Sequence, residues 1–284
     1  MIPRFADLQL HSTASDGSDP PAEVVRRAHA MGFAAIALTD HDSMAGVPDA
    51  GRVADSLGLR LIPACELSTL DEEDRQIDLL AYGISPDDAE FTGVLQTIRG
   101  GRLGRAFLMV QRLNECGYAV SWERVQEIAG SENVGRPHVA RAMVEAGIVP
   151  DIKSAFTPDF ILDGGRCYVQ RVKISPEDAI ERIHWAGGVA VAAHPARTKL
   201  SDDEIARLVH HGLDGLEVYY PAHTEHQTAH LEALAGKHQL LVTGGSDDHG
   251  DVNEGRLMGT VRLPWEHVER LEEAMSQRRA SVRA

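Results

Sequence analysis

Residues 36–46 read IALTDHDSMAG, an apolar strand-like run that stops abruptly at Asp40-His41-Asp42. A solitary histidine beside an apolar segment is ordinarily structural, solvated or paired with a backbone carbonyl. Its meaning depends on whether other strands end the same way. Short aliphatic runs recur along the chain as ADLQL (6–10), AAIAL (34–38), LRLIPA (59–64), QIDLLAY (76–82), GVAVAA (188–193), DGLEVYY (214–220) and QLLVTG (239–244). Amphipathic stretches separate many of them, including PAEVVRRAHAMG (21–32), DDEIARLVHHG (202–212) and TEHQTAHLEALAGKH (224–238). The first two end at glycine, as helices commonly do. Runs this apolar, alternating with helices, imply a largely parallel sheet buried on both faces. About seven strand units fit a (β/α) barrel better than a doubly wound open sheet.

The alternation stops between about residues 99 and 168. There the sequence reads as helices, in RGGRLGRAFLMVQRLNECG (99–117), SWERVQEIAG (121–130), RPHVARAMVEAG (136–147) and DIKSAFTPDFILDGG (151–165). The expected organisation is therefore a barrel from residues 1–98 and 169–284, with 99–168 inserted as a helical cap.

Bulk properties bound the function. The chain has 284 residues, 43% hydrophobic and 25% charged, with a formal net charge of −15. Such a balance argues against a protein that tracks long nucleic acid through its phosphates. The opening residues MIPRFADLQLHS lack the basic and apolar regions of a secretory signal. No apolar run approaches the ~20 residues of a membrane span. Three cysteines without a CxxC pair suit a reducing cytoplasm better than a disulfide framework.

The strand ends carry the chemistry. ADLQL runs into His11, with Asp16 soon after; AAIALT runs into Asp40 and His41; LRLIPAC runs into Glu66. GVAVAA runs into His194, and QLLVTGGS into Asp247, Asp248 and His249. In a parallel barrel these ends open onto one face, where such folds build their active sites. Converging carboxylates repel one another unless positive charge lies between them, and divalent ions supply it. Imidazole nitrogen with carboxylate oxygen favours manganese, zinc or iron over magnesium. The ligand count exceeds the needs of one ion, so two or three metals, some sharing a carboxylate, are expected. Helix-borne His210, His211 and His230 are set aside. His223, His226 and Glu217, near the end of EVYYPA, are weaker candidates for a substrate role.

The segments DLQLHSTASDG, LTDHD, ACE, AHP and GGSDDHG, in this order, resemble the polymerase and histidinol phosphatase (PHP) group of amidohydrolase-like enzymes. With NVGRPHVARAMVEAG in the insertion, the chain is similar to the branch of nucleotide 3′,5′-bisphosphate phosphatases and short-RNA 5′-exonucleases. The resemblance implies a distorted seven-stranded barrel holding two or three ions. It gives His11, Glu66 and Asp247 one ion, lets Glu66 bridge to a second with His194, and gives Asp16, His41 and His249 a third. Two positions depart from the family pattern. Gln9 stands where the first motif usually has a histidine, and Asp78 stands where relatives often place another, so Asp78 is retained as a ligand.

A metal-bridging hydroxide held by Glu66, His194 and Asp247 would attack phosphorus. Arg136, His138, Lys173 and Arg197 would meet the phosphate oxygens, arginine through its two-pronged fork. The resemblance implies removal of the 3′ phosphate from a nucleoside 3′,5′-bisphosphate, and manganese is the expected cofactor. The alternatives are a 5′-to-3′ exonuclease on very short RNA, a histidinol phosphatase, and a non-catalytic metal-binding module.

Overall fold

A computed structural model describes residues 4–73, 75–130, 134–169, 174–252 and 255–282. The strands are β1 (Phe5–Leu10), β2 (Ala35–Leu38), β3 (Arg60–Leu70), β4 (Gln76–Tyr82), β5 (Val189–Ala192), β6 (Gly215–Tyr219), β7 (Leu241–Gly244) and β8 (Leu263–Pro264). The helices are α1 (Pro21–Ala30), α2 (Val47–Leu57), α3 (Ala89–Glu115), α4 (Trp122–Ala129), α5 (Arg136–Glu145), α6 (Ile152–Ala155), α7 (Pro176–Trp185), α8 (Asp202–His210), α9 (Glu225–His238) and α10 (Trp265–Val282).

The strands form one sheet in the order β7-β6-β5-β4-β3-β2-β1-β8. It curls until its two sides meet: Asp247 N donates to Gln9 O and His11 N to Asp248 O, each at 3.0 Å. A parallel bridge joins Leu10 to Asp248 at the same seam. The sheet is therefore a nearly closed barrel, because an open doubly wound sheet would leave these edges apart. Its seven long runs are those the aliphatic segments predict. The two-residue β8 joins β1 from outside, antiparallel.

Among the seven long strands, one departs from the parallel expectation. β4 runs against both β3 and β5. The cause is local: a short turn replaces the helical crossover that a parallel neighbour requires. In that turn Asp71 N donates to Arg75 O at 3.0 Å, and Asp71 Oδ1 accepts from Arg75 N at 2.8 Å. Reversal puts the beginning of β4 at the end of the barrel where the parallel strands finish.

Side-chain alternation then sorts the strand faces. Ile62 and Ala64 on β3, with Leu80 and Tyr82 on β4, belong to one buried cluster that also holds Val268, Leu271 and Met275 of α10. Glu66 and Asp78 continue these same faces, two residues beyond the apolar layer. A second cluster packs Leu10, Ile36 and Leu38 against Val24, Val25 and Ala28 of α1 and Ala50 and Ala54 of α2. Each buried Val, Leu, Ile or Met side chain contributes roughly 1.5–3 kcal/mol.

Backbone contacts divide the chain into two units, Met1–Leu95 with Ile174–Ala284, and Gln96–Lys173. The first contains the barrel. The second has its own core, including Met109, Leu113, Val125, Val139, Met143 and Ile161. Cys116 and Cys167 meet there with their sulfurs 3.7 Å apart, a proximity invisible in their sequence spacing. Among the described residues no helix is long and apolar enough to cross a membrane.

Candidate metal centre

The loop after β1 is organised by Asp40, which accepts from Ser12 N, Ser12 Oγ and Ser15 Oγ, each at 2.7 Å. Asp42 accepts from Ser68 N at 2.8 Å. Asp40 and Asp42 therefore brace the strand ends, while His41 between them enters the basin. Asp248 is likewise structural: it accepts from Met258 N at 3.1 Å and faces Arg27 at 3.4 Å.

Among the described residues, three overlapping groups of potential ligands lie in the first unit: His11, Asp16, His41 and His249; His11, Glu66 and Asp247; and Glu66, Asp78 and His194. Within each group the ligand atoms lie within 4.8 Å of one another. Glu66, fully buried, belongs to two groups. Its Oε2 lies 3.3 Å from His11 Nε2 and 3.4 Å from His41 Nδ1. Its Oε1 lies 3.1 Å from His194 Nε2. Asp247 Oδ1 stands 3.1 Å from His11 Nε2. Asp16 faces His249 at 3.4 Å, His41 at 3.7 Å and His11 at 3.9 Å. The rings of His11 and His249 stack at 4.0 Å. Asp78 reaches the basin because β4 is reversed: it pairs with Ser68 on β3, and its carbonyl accepts from Ala193 N at 3.0 Å, next to His194.

The donor set fits divalent ions. Both ring nitrogens of His11 and Nδ1 of His41 are buried without a hydrogen-bond partner, although carboxylate oxygens stand close by. Two ligand atoms each ~2.1 Å from one ion, at about 100°, stand roughly 3.2 Å apart. The separations around Glu66, 3.1 to 3.4 Å, match that figure.

Electrostatics agree. Burial acts to lower the His194 pKa, but its hydrogen bond to Glu66 and that carboxylate's charge prevail and push it up to about 9. Burial acts to lower the His11 ring too, and the nearby carboxylates of Asp247 and Glu66 raise it well above the ordinary value. Burial acts to raise Glu66, yet His41, His11 and His194 hold it well below the usual carboxylate range. Asp78 is raised, first by burial and then by the charge of Glu66. Cation charge in the basin relieves that repulsion.

At the rim, Arg197 is 58% exposed and lies 3.5 Å from Asp247 Oδ2. Tyr220 donates its hydroxyl to the same oxygen at 3.0 Å. Tyr220 was not singled out from sequence; its place directly after β6 was the available signal. Gln9 Nε2 donates to Glu66 Oε2 at 3.2 Å, and Gln9 Oε1 is buried without a partner. Arg136 and His138 stand at the start of α5 in the second unit. There Arg136 pairs with Asp163 at 2.6 Å, and His138 Nδ1 accepts from Gly135 N at 3.0 Å as a helix cap. Lys173 lies outside the described residues.

Comparison with known proteins accords with this geometry. The PHP domain family matches residues 7–282. A 3′,5′-nucleoside bisphosphate phosphatase of Chromobacterium violaceum is 34% identical over 264 residues, covering 91% of this chain and 92% of that protein. A 5′-3′ exoribonuclease of Escherichia coli is 37% identical over 253 residues, covering 86% of this chain and 84% of that protein. A Bifidobacterium adolescentis structure, assigned as a metal-dependent phosphoesterase, superposes with a TM-score of 0.79 at 32% identity, covering 95% of this chain and 96% of its own.

Proposed function

The chain belongs to the PHP family of metal-dependent phosphoesterases, and from that premise we propose that it removes the 3′ phosphate from nucleoside 3′,5′-bisphosphates such as adenosine 3′,5′-bisphosphate. The observation that carries the reading is the sharing of buried Glu66 between two ligand groups beside the exposed guanidinium of Arg197. Bound divalent ions, with manganese the favoured metal, lower the pKa of water for attack on phosphorus and offset charge on the phosphoryl oxygens.

The protein's own residues have separable tasks. His11, Glu66, Asp78, His194 and Asp247 hold the ions of the inner groups, and Asp16, His41 and His249 hold the outer one. Tyr220 turns Asp247 by occupying its second oxygen. Arg197 grips the oxygens of the departing phosphate, where a planar fork is well matched to the group. Arg136, His138 and Lys173 are further candidates to meet phosphate oxygens. The enzyme acts in the cytoplasm on a small nucleotide.

A second reading, a 5′-to-3′ exonuclease on very short RNA, is favoured by the activity carried in the name of the Escherichia coli relative. The deciding experiment is a substrate panel with manganese-loaded protein. The bisphosphatase reading expects adenosine 3′,5′-bisphosphate to be turned over far faster than histidinol phosphate or a labelled trinucleotide. Faster release of mononucleotides from the trinucleotide transfers the assignment to the exonuclease. Preference for histidinol phosphate overturns both.

A further inference from the structure

The end of β5 holds an unfavourable backbone conformation. His194 has φ of +31°, a region that L-residues other than glycine avoid at a cost of roughly 1–2 kcal/mol. The next residue is Pro195, whose ring favours extended backbone in the residue before it. Two local preferences thus oppose the conformation that His194 adopts, so the surroundings must impose it.

Glu217 on β6 is the group in place to do so. Its carboxylate is fully buried, and Oε2 accepts the main-chain N–H of His194 at 2.9 Å. On the far side of the same residue, the carbonyl of His194 accepts from Arg197 N at 2.9 Å and Thr198 N at 3.2 Å. The peptide is held from both directions while its ring points to Glu66, 3.1 Å away. Glu217 belongs to none of the three ligand groups, and its Oε1 is buried without a partner. A carboxyl group buried with one oxygen unpartnered costs stability, so its hydrogen bond to His194 calls for an explanation.

We propose that Glu217 is a positioning residue for the metal centre: by accepting the amide of His194 it holds the left-handed turn that aims the imidazole at the ion shared with Glu66 and Asp78. The inference rests on the metal-dependent reading above. It requires an acceptor at this position rather than a negative charge, which separates it from a ligand role.

The test uses the full chain with manganese, comparing Glu217→Gln, Glu217→Leu and His194→Ala by elemental analysis after desalting and by metal titration. The glutamine variant keeps an acceptor and should retain the ions of the unaltered protein. The leucine variant should bind its weakest-held ion about 10–100-fold less tightly, with excess manganese restoring kcat. His194→Ala should lose the same ion without such rescue. Combining Glu217→Leu with His194→Ala should lower the metal content no further than His194→Ala alone.

Unchanged affinity in the leucine variant overturns the proposal, as does an equal loss in the glutamine variant. Should the leucine variant fail to fold, amide hydrogen exchange in the unaltered protein supplies the decision. The His194 amide should be strongly protected, and exchange at the unprotected rate overturns the assignment. Unaltered protein that binds no manganese overturns the metal reading itself, which is a distinct failure.

Discussion

Replacing Glu66 with glutamine tests the shared centre most directly. The change keeps the side chain's length and volume, removes its charge, and leaves one oxygen and one amide group. Each carboxylate oxygen faces a different part of the basin: Oε1 lies toward His194, and Oε2 toward His11 and His41. The residue is fully buried, so bulk water cannot replace the missing charge. Removing one member of a buried charge pair costs about 3–5 kcal/mol, which corresponds to roughly 10²–10⁴ in affinity for an ion. Two of the three ligand groups contain Glu66, whereas only one contains Asp16. Glu66→Gln should therefore weaken two ions by such factors, and Asp16→Asn only one. Elemental analysis of desalted protein, followed by competitive metal titration, measures the difference. Equal metal content and affinity in the two variants would refute the claim that Glu66 serves two ions.

Arg197→Met should lower kcat/KM for the bisphosphate by about 10²-fold, on the scale of a lost charge-assisted phosphate contact, while metal content stays constant. Arg197→Lys should recover only part of the loss, and unchanged kinetics in the methionine variant would remove Arg197 from the phosphate site. In metal-free protein, His194 has a folded pKa of about 9 against an ordinary 6.5, so its stabilisation is complete below pH 6.5 and disappears as pH rises through 9. Asp7, raised to about 7 from 3.8 chiefly by burial, acts with the same sign, its contribution being lost as pH climbs from 3.8 through 7. The unfolding free energy from urea titrations in chelator should fall between pH 7 and 9.5, by on the order of 3 kcal/mol from His194. Manganese should abolish the His194 part, because a ligated ring nitrogen cannot take the proton; a flat or rising profile in chelator contradicts this account.

Much of the molecule is legible from local pattern. Seven aliphatic runs mark the seven long strands, and the residues at their ends mark the basin, because strand length, apolar continuity and abrupt polar endings are properties of contiguous sequence. The helices α3 to α6 arise from local pattern in the same sense. Asp40 shows where that reading falls short: it ends a strand beside His41, yet it braces the serines of a neighbouring loop. Identity and position along a strand do not reveal whether a carboxylate faces a cation or a backbone amide.

The sequence alone thus determined which side chains end the strands and which chemistry they suit. Tertiary structure decided how they combine. The reversal of β4 carries Asp78 to the basin, Glu66 divides its two oxygens between different imidazoles, and Glu217 holds the turn at His194. These relations join residues tens to more than a hundred positions apart. Propensity and periodicity describe the chain's neighbours along the backbone, whereas a shared ligand or a clamped amide exists only once distant strands have paired.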